Sequence, residues 1–382
     1  MSTDADKLKP ATIAAHAAGA VDVAGAGVVP GVHLATTYRR GADNALLVAG
    51  NAYGRDQNET VRQAEEVLRQ LEGAAATLLF PSGMAAIAAL FRTLPNGARV
   101  VLQSGIYWGA TAWIRDFCSR RDLVLDEVDA PDLQALSAAC VSPADLVWIE
   151  VPSNPWLKTV DIAAAARIAH AAGAVLAVDS TAATPVLTRP LELGADFVMH
   201  SGTKAINGHT DVVAGVLSCR DKTSAIWQAV GIDRHDAGAI IGPFEAWLLM
   251  RGMRTLPLRI ERMCVNAMAI AKFLQAHEGV EAVFYPGLTS HAGHEVATRQ
   301  MSGGYGYLMS VLVKGGRKRA LDVIGRLHLF HRATSLGGVE SLVEHRHTIE
   351  PDTGIPENLL RLSIGIEDAG DLIADLKQAL MA

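Results

Sequence analysis

The stretch FVMHSGTKAINGHTDVVAG, residues 197–215, ends a short apolar run on Ser-Gly-Thr and then sets down one ammonium group, Lys204. A charge beside a buried strand is costly to desolvate, and loops normally carry their lysines clear of the core. Taken alone, Lys204 reads as a solvated loop lysine. Its meaning depends on what the neighbouring strands end on.

Around this stretch the sequence alternates. ATLLF reads as a strand, followed by a turn and helix in PSGMAAIAALFRTL. ARVVLQ precedes a helix in YWGATAWIRDFCSRR, DLVWIEV precedes one in VDIAAAARIAHAAG, and AVLAVD and DFVMH add two more strands. Short apolar runs separated by helices predict an α/β fold with a mainly parallel sheet covered on both faces. Ahead of them, NETVRQAEEVLRQLEG predicts the first firm helix. Asn58 is its N-cap, Val61, Ala64, Leu68 and Leu71 share a face, and Gly73 ends it.

Three regions follow. Residues 1–57 lack periodicity and predict an extended arm that packs on a partner subunit or on its own chain. Residues 58–240 form the large domain. Residues 241–382 open with a long helical stretch, FEAWLLMRGMRTLPLRIERMCVNAMAIAKFLQAH, and form a smaller C-terminal α+β domain.

Composition narrows the class. Half of the 382 residues are apolar and 19% are charged, which places the chain among folded proteins and excludes disorder. A net charge of −6 offers no basic excess for nucleic acid or an anionic membrane. Cys118, Cys140, Cys219 and Cys264 are scattered without a C-x-x-C pair, which points to free thiols in a reducing, cytoplasmic setting. The alanine-rich stretch near residues 11–20 is too short and weak for a signal or a membrane span.

In open α/β sheets, ligands bind beyond the carboxyl ends of the strands. ATLLF delivers Pro81-Ser82-Gly83-Met84, a turn feeding a helix whose N-terminal N–H groups suit an anion. ARVVLQ is followed by Tyr107, DLVWIEV by PSNP with Asn154 exposed between two prolines, AVLAVD ends on Asp179, and DFVMH leads to Ser201, Thr203 and Lys204. Singly, Asp179 reads as a turn or cap residue, Tyr107 as core packing and Asn154 as a turn former. Together they are an anion cradle, an aromatic face, an amide, a carboxylate and an amine at one sheet edge. One ligand needs all five: pyridoxal 5'-phosphate. Its aldehyde takes a lysine, its phosphate takes hydroxyls and a helix N-terminus, and its ring takes an aromatic face. A carboxylate keeps its ring nitrogen protonated, so that the ring acts as an electron sink.

The chain resembles the Cys/Met-metabolism (trans-sulfuration) family of fold-type I pyridoxal-phosphate enzymes, which includes cystathionine γ-synthase, cystathionine γ- and β-lyase and methionine γ-lyase. The similarity runs from about Tyr53 to Leu380, through YGRDQNET, FPSGMAAI, EVPSNPWLKTVDI, VDSTAATPVLTRPLELGADFVMHSGTKAINGHTDVVAGV, RGMRTLPLR, SLGGVESLVEH and LLRLSIGIEDAGDLIADL. The resemblance implies that Lys204 bonds the cofactor and shuttles protons, that Asp179 pairs with the ring nitrogen, and that Tyr107 stacks on the ring and takes part in proton transfers. It implies that Gly83, Met84, Ser201 and Thr203 hold the phosphate, with Tyr53 and Arg55 reaching in from a neighbouring subunit. Arg361 would clamp the substrate carboxylate, assisted by Ser335 and Asn154. Active-site-sharing dimers assembled into a homotetramer follow from the same likeness, and no metal is implied.

Departures from the family pattern carry information. Gly54 and Glu59 stand where YSR-x-x-NPT has Ser and Pro, Gly202 where Ala is common, and Ser180 where Asn is common. Thr334 precedes SLGG where γ-synthases and γ-lyases commonly have a glutamate associated with orienting cystathionine. That absence weighs against a γ-synthase and a cystathionine γ-lyase alike, and the leading expectation is an α,β- or β,γ-eliminating C–S lyase that eliminates thiol from cystathionine or a related thioether amino acid. γ-Replacement on an O-acylhomoserine is the alternative, and a non-catalytic cofactor-binding homologue is a third reading that retention of Lys204, Asp179, Tyr107 and Arg361 opposes. A dinucleotide site at GAGVVPG lacks its third glycine and a preceding strand. The histidine pairs 291/294, 328/331 and 345/347 lack the carboxylates of a metal hydrolase.

Overall fold

The computed structural model describes residues 8–381, so residues 1–7 of the expected arm lie outside the described residues. Its strands, in chain order, are β1 (Ala76–Phe80), β2 (Arg99–Gln103), β3 (Val124–Val128), β4 (Leu146–Glu150), β5 (Val175–Asp179), β6 (Phe197–Ser201), β7 (Gly215–Cys219), β8 (Val280–Phe284), β9 (Leu308–Val313), β10 (His331–Arg332), β11 (Leu342–His345) and β12 (Leu359–Ser363). Neighbouring strands run β1-β7-β6 and β5-β4-β2-β3, and the last five follow the order β10-β11-β12-β9-β8. The chain divides into two compact units, Met1–Pro95 with Asp196–Pro257 and Asn96–Ala195 with Leu258–Ala382.

In the first unit, the helix Glu59–Glu72 forms where its spacing predicted it. The Asn58 side chain accepts from the N–H groups of Thr60 and Val61, a cap that contributes about 1 kcal/mol. Val61, Ala64, Val67, Leu68 and Leu71 are buried along one stripe, and Gly73 closes the helix at φ +64°. β7, which no sequence signal announced, runs antiparallel to both β1 and β6. It follows β6 through a loop without a crossover helix, and only an antiparallel neighbour can be reached that way. The arm preceding Asn58 holds little regular structure, and Val23, Val28, Leu34 and Leu47 stand exposed along it.

In the second unit, β2, β3, β4 and β5 are parallel, each reached through a helix. Their core joins Val101, Val147, Ile149, Leu176 and Val178 to Ile162, Ala165 and Ala169 of the helix Ile162–Ala171. β3 was not foreseen because VLDEV is an edge strand with no continuous apolar run. The five-stranded sheet packs on a separate core with Ile270, Leu274, Val323, Leu372 and Leu376. The single long helix expected after residue 243 is two, Pro243–Met253 and Leu256–Ala276, because Pro257 fits a first turn and not a helix interior. Among the described residues, no helix is long and apolar enough to cross a membrane. All four cysteines are free and buried.

Candidate active site

Each unit concentrates part of the predicted set. In the first, Ser82 caps the helix Gly83–Arg92, its Oγ accepting the Ala85 N–H at 3.1 Å while its carbonyl accepts that of Ala86. The N–H groups of Gly83 and Met84, earlier in the same turn, take no acceptor among the described residues. A Cβ on Gly83 would lie 3.1 Å from the Cβ of Ser201, and one on Gly215 would lie 2.0 Å from the Ser82 carbonyl oxygen. Two missing side chains therefore let β7 and the end of β6 close directly on the turn. Thr203 ties its hydroxyl to Ala214, accepting from the N–H at 3.0 Å and donating to the carbonyl at 3.2 Å. Lys204 is half-buried, its N–H donating to the Ser201 carbonyl and its own carbonyl accepting from Gly208. Tyr53 and Arg55 sit with Asp56 and His235. The Arg55 guanidinium lies 5.5 Å from the centre of the Tyr53 ring, one of its terminal nitrogens is 3.2 Å from His235, and its Nε makes no hydrogen bond, with the Asp56 carboxylate 3.9 Å away.

In the second unit, Tyr107, Asn154, Asp179, Ser335 and Arg361 are brought together, and a residue that sequence reasoning missed links the first three. Glu150, the last residue of β4, accepts the Tyr107 N–H at 2.9 Å and the Asn154 N–H at 2.5 Å. It lies opposite Asp179 in the β4–β5 register. Burial, and then the charge of Asp179, push the Glu150 carboxyl up to about 8 against the pull of the two N–H groups. The available signal was a glutamate closing the otherwise apolar LVWI of a buried strand.

Asp179 caps its own turn, accepting the Thr181 N–H at 2.9 Å. Tyr107 begins the helix Trp108–Arg120 with its ring over Gly109, where a Cβ would come within 2.8 Å of the phenol oxygen. Asn154 was expected to be exposed between its prolines; it is buried, because Glu150 holds its backbone and Arg361 holds its side chain.

Arg361, on β12, is itself buried. Its Nη1 donates to the Asn154 Oδ1 at 3.1 Å and its Nη2 to the Ser335 carbonyl at 2.7 Å, with the Glu344 carboxylate also 2.7 Å from Nη2. Burial lowers the guanidinium to about 10, with Glu344 opposing the shift. Ser335 reaches this position at φ +88°, a left-handed conformation that a non-glycine residue adopts only where its surroundings hold it.

The residues present suit pyridoxal phosphate. The capped turn with two unpartnered N–H groups beside Ser201 has the donors a phosphate takes. Asp179 is a buried carboxylate for a protonated ring nitrogen, and the half-exposed ring of Tyr107 offers an aromatic face.

Comparison with known proteins points the same way. Residues 11–381 match the family described as Cys/Met metabolism PLP-dependent enzyme. The chain is 41% identical to the cystathionine gamma-synthase of Mycobacterium tuberculosis over 378 residues, covering 97% of this chain and 96% of that protein. It is 38% identical to the cystathionine gamma-lyase of Dictyostelium discoideum over 387 residues, 99% of each. The crystal structure of metB from Corynebacterium glutamicum superposes with a TM-score of 0.94 at 37% identity, covering 99% of both chains.

Proposed function

The chain belongs to the Cys/Met-metabolism family of PLP-dependent enzymes, and from that premise we propose that it is a carbon–sulfur lyase, eliminating thiol from cystathionine or a related thioether amino acid. The products are the thiol, a 2-oxo acid and ammonia, with one water consumed. The chain is a trans-sulfuration enzyme that works with pyridoxal 5'-phosphate.

When bound, the cofactor supplies an electron sink next to the substrate's α-carbon. The chain's own residues then have these roles. Gly83, Met84, Ser201 and Thr203 hold the phosphate, joined by Tyr53 and Arg55 of a neighbouring subunit, and Lys204 holds the aldehyde carbon. Asp179 keeps a proton on the ring nitrogen. Tyr107 covers the ring, fixed through its N–H by Glu150. Arg361, with Asn154 and Ser335, fixes the substrate carboxylate, and the Lys204 amine is the base for the α-hydrogen. That amine takes the proton and returns one as the thiol departs, with Tyr107 as its partner. A homotetramer of site-sharing dimers belongs to this reading. The exposed valines and leucines of the arm support it, since an apolar segment of that kind is covered in an assembly.

The observation that carries the reading is Thr334. This exposed, uncharged residue precedes the Ser335 that accepts from Arg361, so the carboxylate that orients cystathionine in γ-synthases and cystathionine γ-lyases alike is missing there, which favours elimination from a related thioether over γ-replacement. γ-Replacement on an O-acylhomoserine is the second reading, favoured by the 41% identity to a γ-synthase. A panel of cystathionine, methionine, cysteine, and O-acetyl- and O-succinylhomoserine with and without cysteine separates them. The lyase reading predicts 2-oxo acid and ammonia from a thioether alone. Cystathionine formed from acylhomoserine and cysteine faster than any keto acid would overturn it.

A further inference from the structure

Arg361 is not alone in its pocket of the second unit. Glu344 faces it across the β11–β12 register, Arg346 and Glu350 follow Glu344 in the chain, and all four side chains are buried. The Glu344 Oε2 lies 2.7 Å from the Arg361 Nη2 and accepts a hydrogen bond from the Arg346 Nη1 at 2.6 Å. The other end of Arg346 pairs with the Glu350 carboxylate. Two guanidiniums and two carboxylates cancel, so the cluster is neutral before any ligand arrives.

Three of its buried polar atoms are nevertheless unsatisfied: the Nε of Arg361, the Nε of Arg346 and the Oε1 of Glu344. Unpaired buried donors and acceptors of this kind call for an explanation. A guanidinium grips a carboxylate bidentately through Nη1 and Nη2 or through Nε and Nη2, so Nη2 belongs to either fork. In Arg361 that nitrogen already touches the Ser335 carbonyl and the Glu344 carboxylate. A substrate carboxylate arriving at Arg361 therefore meets a resident one. Glu344 does not depend on Arg361 alone, because its hydrogen bond comes from Arg346.

We infer that Glu344 is a resident carboxylate that competes with the substrate carboxylate for Arg361, and that Arg346, anchored by Glu350, retains Glu344 when the substrate displaces it. Glu344 and Arg346 are then positioning residues with opposite effects on affinity. Removing the competitor's charge strengthens carboxylate binding. Removing the residue that retains it leaves Glu344 committed to Arg361 and weakens binding. A purely structural role would move both in one direction. This inference rests on the reading of Arg361 as the substrate-carboxylate residue.

The test uses the full-length holoenzyme and propionate, a carboxylate with no amine to react with the cofactor, titrated by calorimetry. Glu344→Gln is expected to bind propionate about tenfold more tightly than the parent, the scale of one charge-assisted contact. Arg346→Gln, made together with Glu350→Gln so that no lone charge is buried, is expected to bind about tenfold more weakly. KM for the substrate that turns over should move in the same two directions, with kcat changing by less than about twofold. Glu344→Asp keeps the charge but draws it back by one methylene, and gives the sign of Glu344→Gln if that variant does not fold. Arg361→Gln distinguishes the two levels. If it binds propionate as the parent does, the assignment of Arg361 falls, and this inference with it. If it loses propionate while the Glu344 variants bind no more tightly, or while both sets of variants weaken binding, the competition alone is wrong.

Discussion

The Ser82–Lys204 region of the first unit and the Glu150–Arg361 region of the second solve opposite problems. The first offers neutral donors and one amine: two unpartnered N–H groups, hydroxyls, and space made by Gly83 and Gly215. The second buries six ionisable side chains: Glu150, Asp179, Glu344, Arg346, Glu350 and Arg361. Preorganised dipoles hold an anion without burying any countercharge of their own, which suits a group that stays bound. Buried charges stay only if they compensate one another, and a compensated set can exchange one member for a ligand's charge. On the proposed reading, the first region holds the cofactor's phosphate and aldehyde, while the second holds the cofactor's ring at Asp179 and exchanges charge with the substrate at Arg361.

The sharpest break of this comparison is at the first region's single amine. Lys204→Ala should lower 2-oxo acid release by at least about a thousandfold, since on the proposed reading one residue supplies both the bond to the cofactor and the proton transfer. The variant protein should also lose the near-visible absorption of the lysine-bound cofactor. Full turnover in Lys204→Ala would remove the amine from the chemistry and leave the first region as a structural turn.

The second region is tested through Glu150. Its folded-state pKa is raised above the usual carboxylate value. Its contribution to stability is therefore fully present below about 4.5 and is lost as pH rises towards 8, because the unfolded chain ionises freely across that window and the folded one resists. Glu150→Gln removes this dependence. The parent should lose stability relative to the variant between pH 5 and pH 8, by on the order of 2 kcal/mol, read from urea midpoints at the two pH values. The variant's amide also presents only one acceptor to the two N–H groups of Tyr107 and Asn154, so kcat/KM should fall about tenfold at either pH. Parallel pH–stability curves for parent and variant would show that the carboxyl is ionised throughout, and the region would hold one more fixed charge than proposed.

How far each region could be read from sequence follows from the same contrast. Asn58, Val61, Leu68 and Gly73 announce a helix because capping and a 3.6-residue stripe are local. Pro81-Ser82-Gly83-Met84 and Ser201 to Lys204 stand in short runs after apolar strands, so their types and spacing were legible. β7 was not, because what fixes it is the approach of Gly215 to the Ser82 carbonyl, more than a hundred residues away in the chain. Glu150, Glu344 and Arg346 were passed over for another reason. A buried charge and a solvated one are the same letter, and only its partners, Tyr107 and Asn154 for the first and Arg361 for the second, distinguish them. Asn154 was misread as exposed on the strength of its prolines, when its burial depends on Arg361, 207 positions away.

The smallest expected effect probes packing rather than charge. Gly215 has an ordinary backbone conformation, so alanine costs nothing in φ there. What alanine meets is the Ser82 carbonyl oxygen at 2.0 Å and the Gly83 nitrogen at 3.0 Å, backbone atoms that cannot rotate away. Gly215→Ala must therefore push β7 from the turn, at a cost of about 1–3 kcal/mol in urea unfolding. Because the displaced atoms belong to the proposed phosphate cradle, the variant should also release cofactor on dialysis faster than the parent. Its KM should stay near the parent value once cofactor is supplied in excess, since Arg361 and its neighbours are untouched. The opposite pattern, with cofactor retained and KM raised, would mean that the anion held at this turn is the substrate's, and the two regions would have to exchange roles.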